Sequence, residues 1–459
     1  MKTSEKYGII ISNLQIRTVL FLNGIKKISV YPSVQLTVIP STKFKTSYLS
    51  VSFSRPLCEK EAPLNALIPE VLTRSCQKYP TMLSLSRALQ SLYGASIEPM
   101  NLVMGENHLF GLYATFTENR YAFDGTDILS EVCSLISEII LNPLTDGESF
   151  NKGVVESEKE KLCGRIRARI NNPAAYALRR CEEIMCECER FSISPSGTIE
   201  SVSTVDAREL YAYYKSLART TNINVFYAGS ENESIITEKM KEIFKDFDGP
   251  CVVLPETEIK RRAPEKIKTV IEEEKVSQGK LTIGFRSGFA LSDENYHVLA
   301  LTSAILGSSP TSKLFMNVRE KMSLCYYCSS RPNALKGILT VSSGIEVENF
   351  EKTRDAIFHQ IEAMRSGDIS DFELDSAKKS LINSYRELTD SPSGLVFWYL
   401  TRSFAGRHDS PLDAARKVAQ VSREEIIEAA KRLSPDTVYF LKGTLAPMSA
   451  DEESEEDFE

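Results

Sequence analysis

The two halves of this 459-residue chain carry the same four segments in the same order, so whatever fold satisfies one half must serve twice. TSYLSVSF (46–53) resembles QGKLTIGF (278–285). KLCGRIRARINNP, with Pro173 eleven residues after Leu162, matches SLINSYRELTDSP, with Pro392 eleven residues after Leu381. VDARELYAYYKSL (205–217) matches VSREEIIEAAKRL (421–433) without a gap. The last pair runs into short β-branched and aromatic strands ending in glycine, INVFYAG (223–229) and TVYFLKG (437–443). One helical pattern recurs easily by chance; four in series argue duplication.

The local chemistry within each half agrees. The charged helical stretches stop at Asn/Asp/Ser before proline, and the 205–217 and 421–433 segments open on residues suited to an N-cap with an acid in the first turn. Each unit reads as strand pair, helix, strand pair, several helices and a final strand. In 46–53, Leu49, Val51 and Phe53 alternate with Tyr48, Ser50 and Ser52. The expected class is α+β: two tandem units, each an antiparallel sheet with helices packed on one face. The first unit spans 1–248 and the second 268–448. Between them 249–267, rich in proline and charge, reads as a linker, and 449–459 as an acidic disordered tail.

Charge narrows the function classes. The formal net charge is −7, and the last nine residues alone hold seven acids and no base, so the body is neutral overall. It carries no excess positive charge for nucleic acid. No apolar run approaches the ~20 residues of a membrane span. The N-terminus lacks a clean apolar region and cleavage site, and it reads as a mature cytoplasmic start. Ten scattered cysteines in so large a chain fit the same compartment.

The duplicated unit, the opening LNGIKKISVYPS…FKTSYLSVSFSRPL, and above all the run ILGSSPTSKLFMNVREKMSLCYY resemble the M16 peptidases, the pitrilysin and insulinase-like family. The resemblance extends to about residue 445, and is greatest to short bacterial chains that pair with a separate active subunit. Active members carry H-x-x-E-H on an early helix. Its two histidines, one turn apart, hold zinc with a distant glutamate, and its own glutamate activates the bound water. Here the segment in that place is ALIPEVL. Leu67 and Val71 stand where the histidines would be, and Glu70 stands where the base would be. Counting back from Pro173 puts Arg165 at the third ligand's place, with Glu156, Glu158 and Glu160 a turn or two earlier. The four histidines, His108, His297, His359 and His408, include no helical pair that could substitute.

The resemblance also implies a second element. Active members use an arginine and a tyrosine seven residues on to hold the bound peptide's carbonyl, and Arg319 and Tyr326 match that spacing, with Tyr327 one register away. Guanidinium and phenol are donors suited to a developing oxyanion. The expected function is therefore a non-catalytic subunit that binds peptide and completes the active site of a zinc-containing M16 partner, either in a heterodimer or by self-association. No metal or other cofactor of its own is expected. The alternative is a purely structural homologue. Other motifs read as structural. Cys325-x-x-Cys328 is expected in a strand with its thiols on opposite faces. Cys186 and Cys188, two thiols at i, i+2, cannot alone enclose zinc, which would take a four-thiol site with Cys181. Gly307–Leu314 lacks the Gly-Lys-Ser/Thr ending of a phosphate loop, and His297 is expected at the edge of the core.

Overall fold

The computed structural model describes residues 18–20, 24–247, 249 and 252–445. The acidic tail, and all of the N-terminal reading except the backbone of 18–20, lie outside them. The strands are β1 (Thr18–Leu20), β2 (Lys26–Tyr31), β3 (Val34–Pro40), β4 (Thr46–Pro56), β5 (Ser96–Met104), β6 (Asn107–Thr117), β7 (Asn222–Gly229), β8 (Lys268–Glu274), β9 (Gly279–Arg286), β10 (Tyr327–Asn333), β11 (Ile338–Ile345) and β12 (Ser434–Gly443). The helices of the first half are α1 (Ala62–Leu72), α2 (Met82–Ser91), α3 (Ile128–Leu141), α4 (Lys152–Arg167), α5 (Pro173–Met185), α6 (Ile199–Ser203), α7 (Ala207–Thr220) and α8 (Glu233–Phe244). Those of the second are α9 (Tyr296–Ser303), α10 (Phe350–Arg365), α11 (Asp371–Glu387), α12 (Pro392–Ser403), α13 (Pro411–Gln420) and α14 (Arg423–Arg432).

The duplication is visible in the sheets. The first runs β1-β2-β3-β7-β4-β6-β5, the second β8-β12-β9-β11-β10. Superposing the orders makes β3 the counterpart of β8, β7 of β12, β4 of β9, β6 of β11 and β5 of β10. Every repeated segment falls on equivalent elements. Each sheet is antiparallel except for one pair, β3 with β7 and β8 with β12. The returning strand in each unit comes back after a long helical excursion, which is the connection a parallel neighbour requires.

The capping chemistry fits the repeat. Asp206 accepts from the amides of Arg208 and Glu209 at the start of α7, and Ser422 forms a capping box with Glu425 at the start of α14. Asn172 and Ser391 cap α5 and α12, each followed by proline at the first helical position.

Both faces of both sheets are packed, whereas the alternation in 46–53 suggested helices on one face. The inner face of the first sheet, including Leu49, Val51 and Phe53, buries against helices of its own unit. Its other face, including Tyr48, Leu109 and Phe226, receives Leu395, Trp398 and Tyr399 of α12, from the second unit. Reciprocally, Ala177 and Cys181 of α5, from the first unit, pack on Tyr439 and Leu441 of the second sheet. Met185 of α5 packs over Gly284 of β9, where a Cβ would stand 2.5 Å from its sulfur and displace the thioether. The serines that suggested a wet face are buried and bonded locally: Ser52 donates to the Asn224 carbonyl, and the Asn224 amide donates to Ser54.

His108 on β6 is fully buried, its ring held between the Asn65 amide (3.2 Å) and Asn101 (2.6 Å). Burial pushes its pKa down from 6.5 to about 3. The unfolded chain therefore binds a proton that the folded chain refuses, so this contribution is intact above pH 6.5 and is lost as pH falls toward 3. Between pH 6.5 and 5 the loss is expected to be about 2 kcal/mol. Urea titrations of the wild-type and His108→Gln chains at both pH values check this. Equal pH dependence in the two would contradict it.

Candidate functional site

Helix α1 begins at the tight 58–62 turn, carries proline at its second position, and buries nearly every side chain. Leu67 and Val71, one turn apart, both point into the first unit's core. Glu70, between them in sequence, points away from it, toward α4. There its Oε1 accepts from Arg165 Nη2 at 2.7 Å. Glu70, at the place the resemblance gives to the base, is thus held by Arg165 of α4 as an ion pair. Two turns earlier on α4, Glu158 is buried and bonded to Lys161 (2.8 Å), with Arg74 at 3.5 Å. Glu70, Glu158 and Arg165 line a cavity of about 420 Å³. Two hydrocarbons and a guanidinium offer no lone pair to zinc, so the residues present do not fit the metal.

Purified chain is accordingly expected to hold far less than one tightly bound zinc, and Leu67→His with Val71→His should not restore it while Arg165 occupies the remaining ligand place. Metal analysis decides. About one zinc per chain, lost on substitution within 66–72, would contradict the reading.

The second candidate element lies on the other unit. Residues 314–321 form a wide helical turn, closed by hydrogen bonds from Met322, Ser323 and Leu324 back to Asn317, Arg319 and Val318. Ser323 has φ 51°, a left-handed conformation that a helix end ordinarily gives to glycine or asparagine. The reversal brings the Tyr326 amide to the Gly344 carbonyl at the margin of β11. Arg319 lies over the Phe315 ring at 4.7 Å and 3.5 Å from Glu320, with 41% of its side chain exposed. Tyr326 is 52% exposed and donates its hydroxyl to Glu346. Tyr327 is more enclosed, within the β10–β11 pairing and beside Lys280, and burial pushes its phenol up to about 12. Of the two tyrosines, Tyr326 is the accessible donor.

The expectation for Cys325 and Cys328 needs correcting. The strand starts at Tyr327, so Cys325 sits in the turn before it and the alternation of faces does not apply. The two thiols share a hydrogen bond, which holds Cys325 below its ordinary value and Cys328 above it; the nearby Arg319 charge adds to the first shift. Cys181 and Cys186 are buried while Cys188 is exposed, and burial pushes the Cys186 thiol up to about 12. Lys313 of the supposed phosphate loop is buried against Glu373 at 2.9 Å.

One cluster escaped the sequence reading. Among the described residues, the only three potential metal ligands lying close together are Glu106, Glu189 and Glu258. A cation already sits among them: Lys336 Nζ lies 2.5 Å from Glu189, 2.8 Å from Glu106 and 2.7 Å from the Glu258 carbonyl. Arg286 reaches Glu189 at 2.9 Å and Asp436 at 2.9 Å. Burial raises the Glu189 carboxyl, and the hydrogen bonds and charges of Lys336 and Arg286 more than reverse this. The cluster joins the units and the linker.

Together these features define a class: a duplicated α+β frame with apolar side chains and an ion pair where the resemblance puts a metal site. Residues 204–381 match the family described as Peptidase M16 inactive domain. A curated relative, the probable inactive metalloprotease YmfF of Bacillus subtilis, is 32% identical over 410 residues, covering 89% of this chain and 95% of that protein. The crystal structure of a conserved protein from Enterococcus faecalis V583 superposes with TM-score 0.84 at 27% identity, covering 93% of this chain and 99% of the other. That of a peptidase M16 inactive domain from Pseudomonas fluorescens gives 0.74 at 16% identity, covering 95% and 100%, a likeness of fold alone. The chain belongs to the M16 peptidase family, as an inactive-type homologue. Among the described residues no helix is long and apolar enough to cross a membrane.

Proposed function

We propose that this chain is the non-catalytic subunit of a two-chain M16 peptidase, binding peptide and supplying Arg319 and Tyr326 to a zinc site held by its partner. One asymmetry carries the reading. Where the resemblance puts the metal, the first unit has hydrocarbon and an ion pair, while the second has an accessible guanidinium and phenol seven residues apart. Donors of this kind stabilise charge that develops on a peptide carbonyl and do nothing useful without a nucleophile nearby. The nucleophile must then come from another chain.

A purely structural role is the second reading, and the Tyr326–Glu346 hydrogen bond favours it, since a tyrosine whose hydroxyl is already engaged needs no substrate. Mixing the chain with a zinc-bearing M16 peptidase of the same cell separates the two. The proposal expects a co-eluting complex that cleaves unstructured peptides faster than the partner alone. A complex with unchanged activity, or no complex, leaves the structural role.

A further inference from the structure

Next to the Glu70–Arg165 pair, a cavity of about 470 Å³ runs along α4 and α5, within the size range of ligand sites. Arg165 lines it as well as the cavity at the former metal position, so the two are neighbours. Its walls include Val103, Tyr176 and Pro195 and four arginines, Arg165, Arg169, Arg179 and Arg180, against a single carboxylate, Glu183. Three of the arginines are committed. Arg165 pairs with Glu70, Arg179 with Glu183 at 3.0 Å, and Arg180 with Glu272 at 2.7 Å. Arg169 differs. Both terminal nitrogens of its guanidinium reach only the Ser194 hydroxyl, at 3.3 Å, and among the described residues no carboxylate lies within ion-pair distance.

We infer that this cavity is a binding site for a carboxylate-bearing peptide segment, with Arg169 as the residue that takes the carboxylate. The inference rests on the peptide-binding part of the proposed function. The guanidinium fork matches a carboxylate in two parallel hydrogen bonds, and the apolar walls accept the neighbouring side chains. Within the protein, burial and the like charge of Arg179 lower the pKa of Arg169, against the pull of Glu183, so an arriving anion relieves an existing electrostatic cost. A peptide passing the Glu70–Arg165 pair would lay its adjoining residues here. Its carboxylate can be an acidic side chain or a C-terminus.

The test is fluorescence anisotropy on the full chain with a labelled glutamate-containing octapeptide. Its glutamine counterpart and its C-terminal amide distinguish the two sources of carboxylate. The acidic peptide is expected to bind about tenfold more tightly than the form carrying both changes, which has no carboxylate, and the two singly changed forms show which source the site takes. Arg169→Ala should erase that preference at an unchanged melting temperature, and Arg169→Lys should keep part of it. Equal affinity for the acidic peptide and the form carrying both changes would overturn the inference, as would a preference that survives Arg169→Ala or complete displacement of peptide by inorganic phosphate. Arg319→Ala should leave the preference in place. Failed stimulation of a partner with the preference intact therefore sinks only the two-chain reading, and the converse sinks only this site.

Discussion

A Glu189→Ala chain is expected to lose about 3–5 kcal/mol of stability, the cost of taking from two buried cations the carboxylate they share. Glu189, Arg286 and Lys336 have side chains that are 0%, 2% and 0% exposed. The carboxylate accepts from both cations and from Lys260 at 3.1 Å. Its removal leaves Arg286 with Asp436 and Lys336 with Glu106, each cation stripped of a short charged hydrogen bond that water cannot replace in so closed a site. Glu187 is the matched control, in the same short loop but paired with Lys268 at the surface. Its loss should change stability by no more than about 0.5 kcal/mol. Urea midpoints of the two variants give the answer, and a Glu189→Ala effect as small as that of Glu187→Ala would show that the cluster does not hold the units together. The carboxyl lies below its ordinary value, so the contribution is present above the unfolded carboxyl's pKa and fades as acid protonates it.

The largest functional effect is expected at Arg319 and Tyr326. Removing one oxyanion-hole donor costs ~10²–10³ in turnover in well-characterised enzymes. Both side chains here are half exposed, and a site open to water returns less, so a loss of at least ~10-fold in turnover is expected for Arg319→Ala or Tyr326→Phe in the assembled peptidase. KM should change little, because the donors bind the developing charge and not the ground-state peptide. Neither substitution should unfold the chain. Arg319 gives up a stacking contact with Phe315 and a surface contact with Glu320, and Tyr326→Phe gives up one hydrogen bond to Glu346. A rise in KM at constant turnover would mean that the pair only holds substrate.

The duplication was legible because its four segments are local patterns that keep their meaning when read alone: caps at Asp206 and Ser422, prolines 173 and 392 at helix starts, and strands that end in glycine. The exchange of α5 and α12 between units was not. An amphipathic helix shows that it buries a face, not which sheet it buries it on, and nothing in PAAYALRRCEEIM names a strand more than 100 residues away. The buried serines of β4 misled for a related reason, since hydroxyls bonded within the sheet look, in sequence, like hydroxyls facing water. At the site, helical spacing put Leu67 and Val71 one turn apart on one helix, and α1 carries them so. That Glu70 turns to Arg165 emerged only from the packing of α1 on α4. Glu189 lay inside CECE, where the cysteines drew attention, yet its buried partners Arg286 and Lys336 stand 97 and more residues on in the chain. The arginine run Arg179–Arg180 is a visible signal, but the unpaired member is Arg169, which only the structure separates from the rest.

The central claim is that this chain completes a peptide-cleaving site it cannot form alone. Its most direct test is peptide cleavage by the complex of the zinc-bearing partner with the chain carrying both Arg319→Ala and Tyr326→Phe, with co-elution measured on the same sample. The account predicts a complex that forms normally and cleaves no faster than the partner alone. Full cleavage from a stable complex lacking both donors would contradict it.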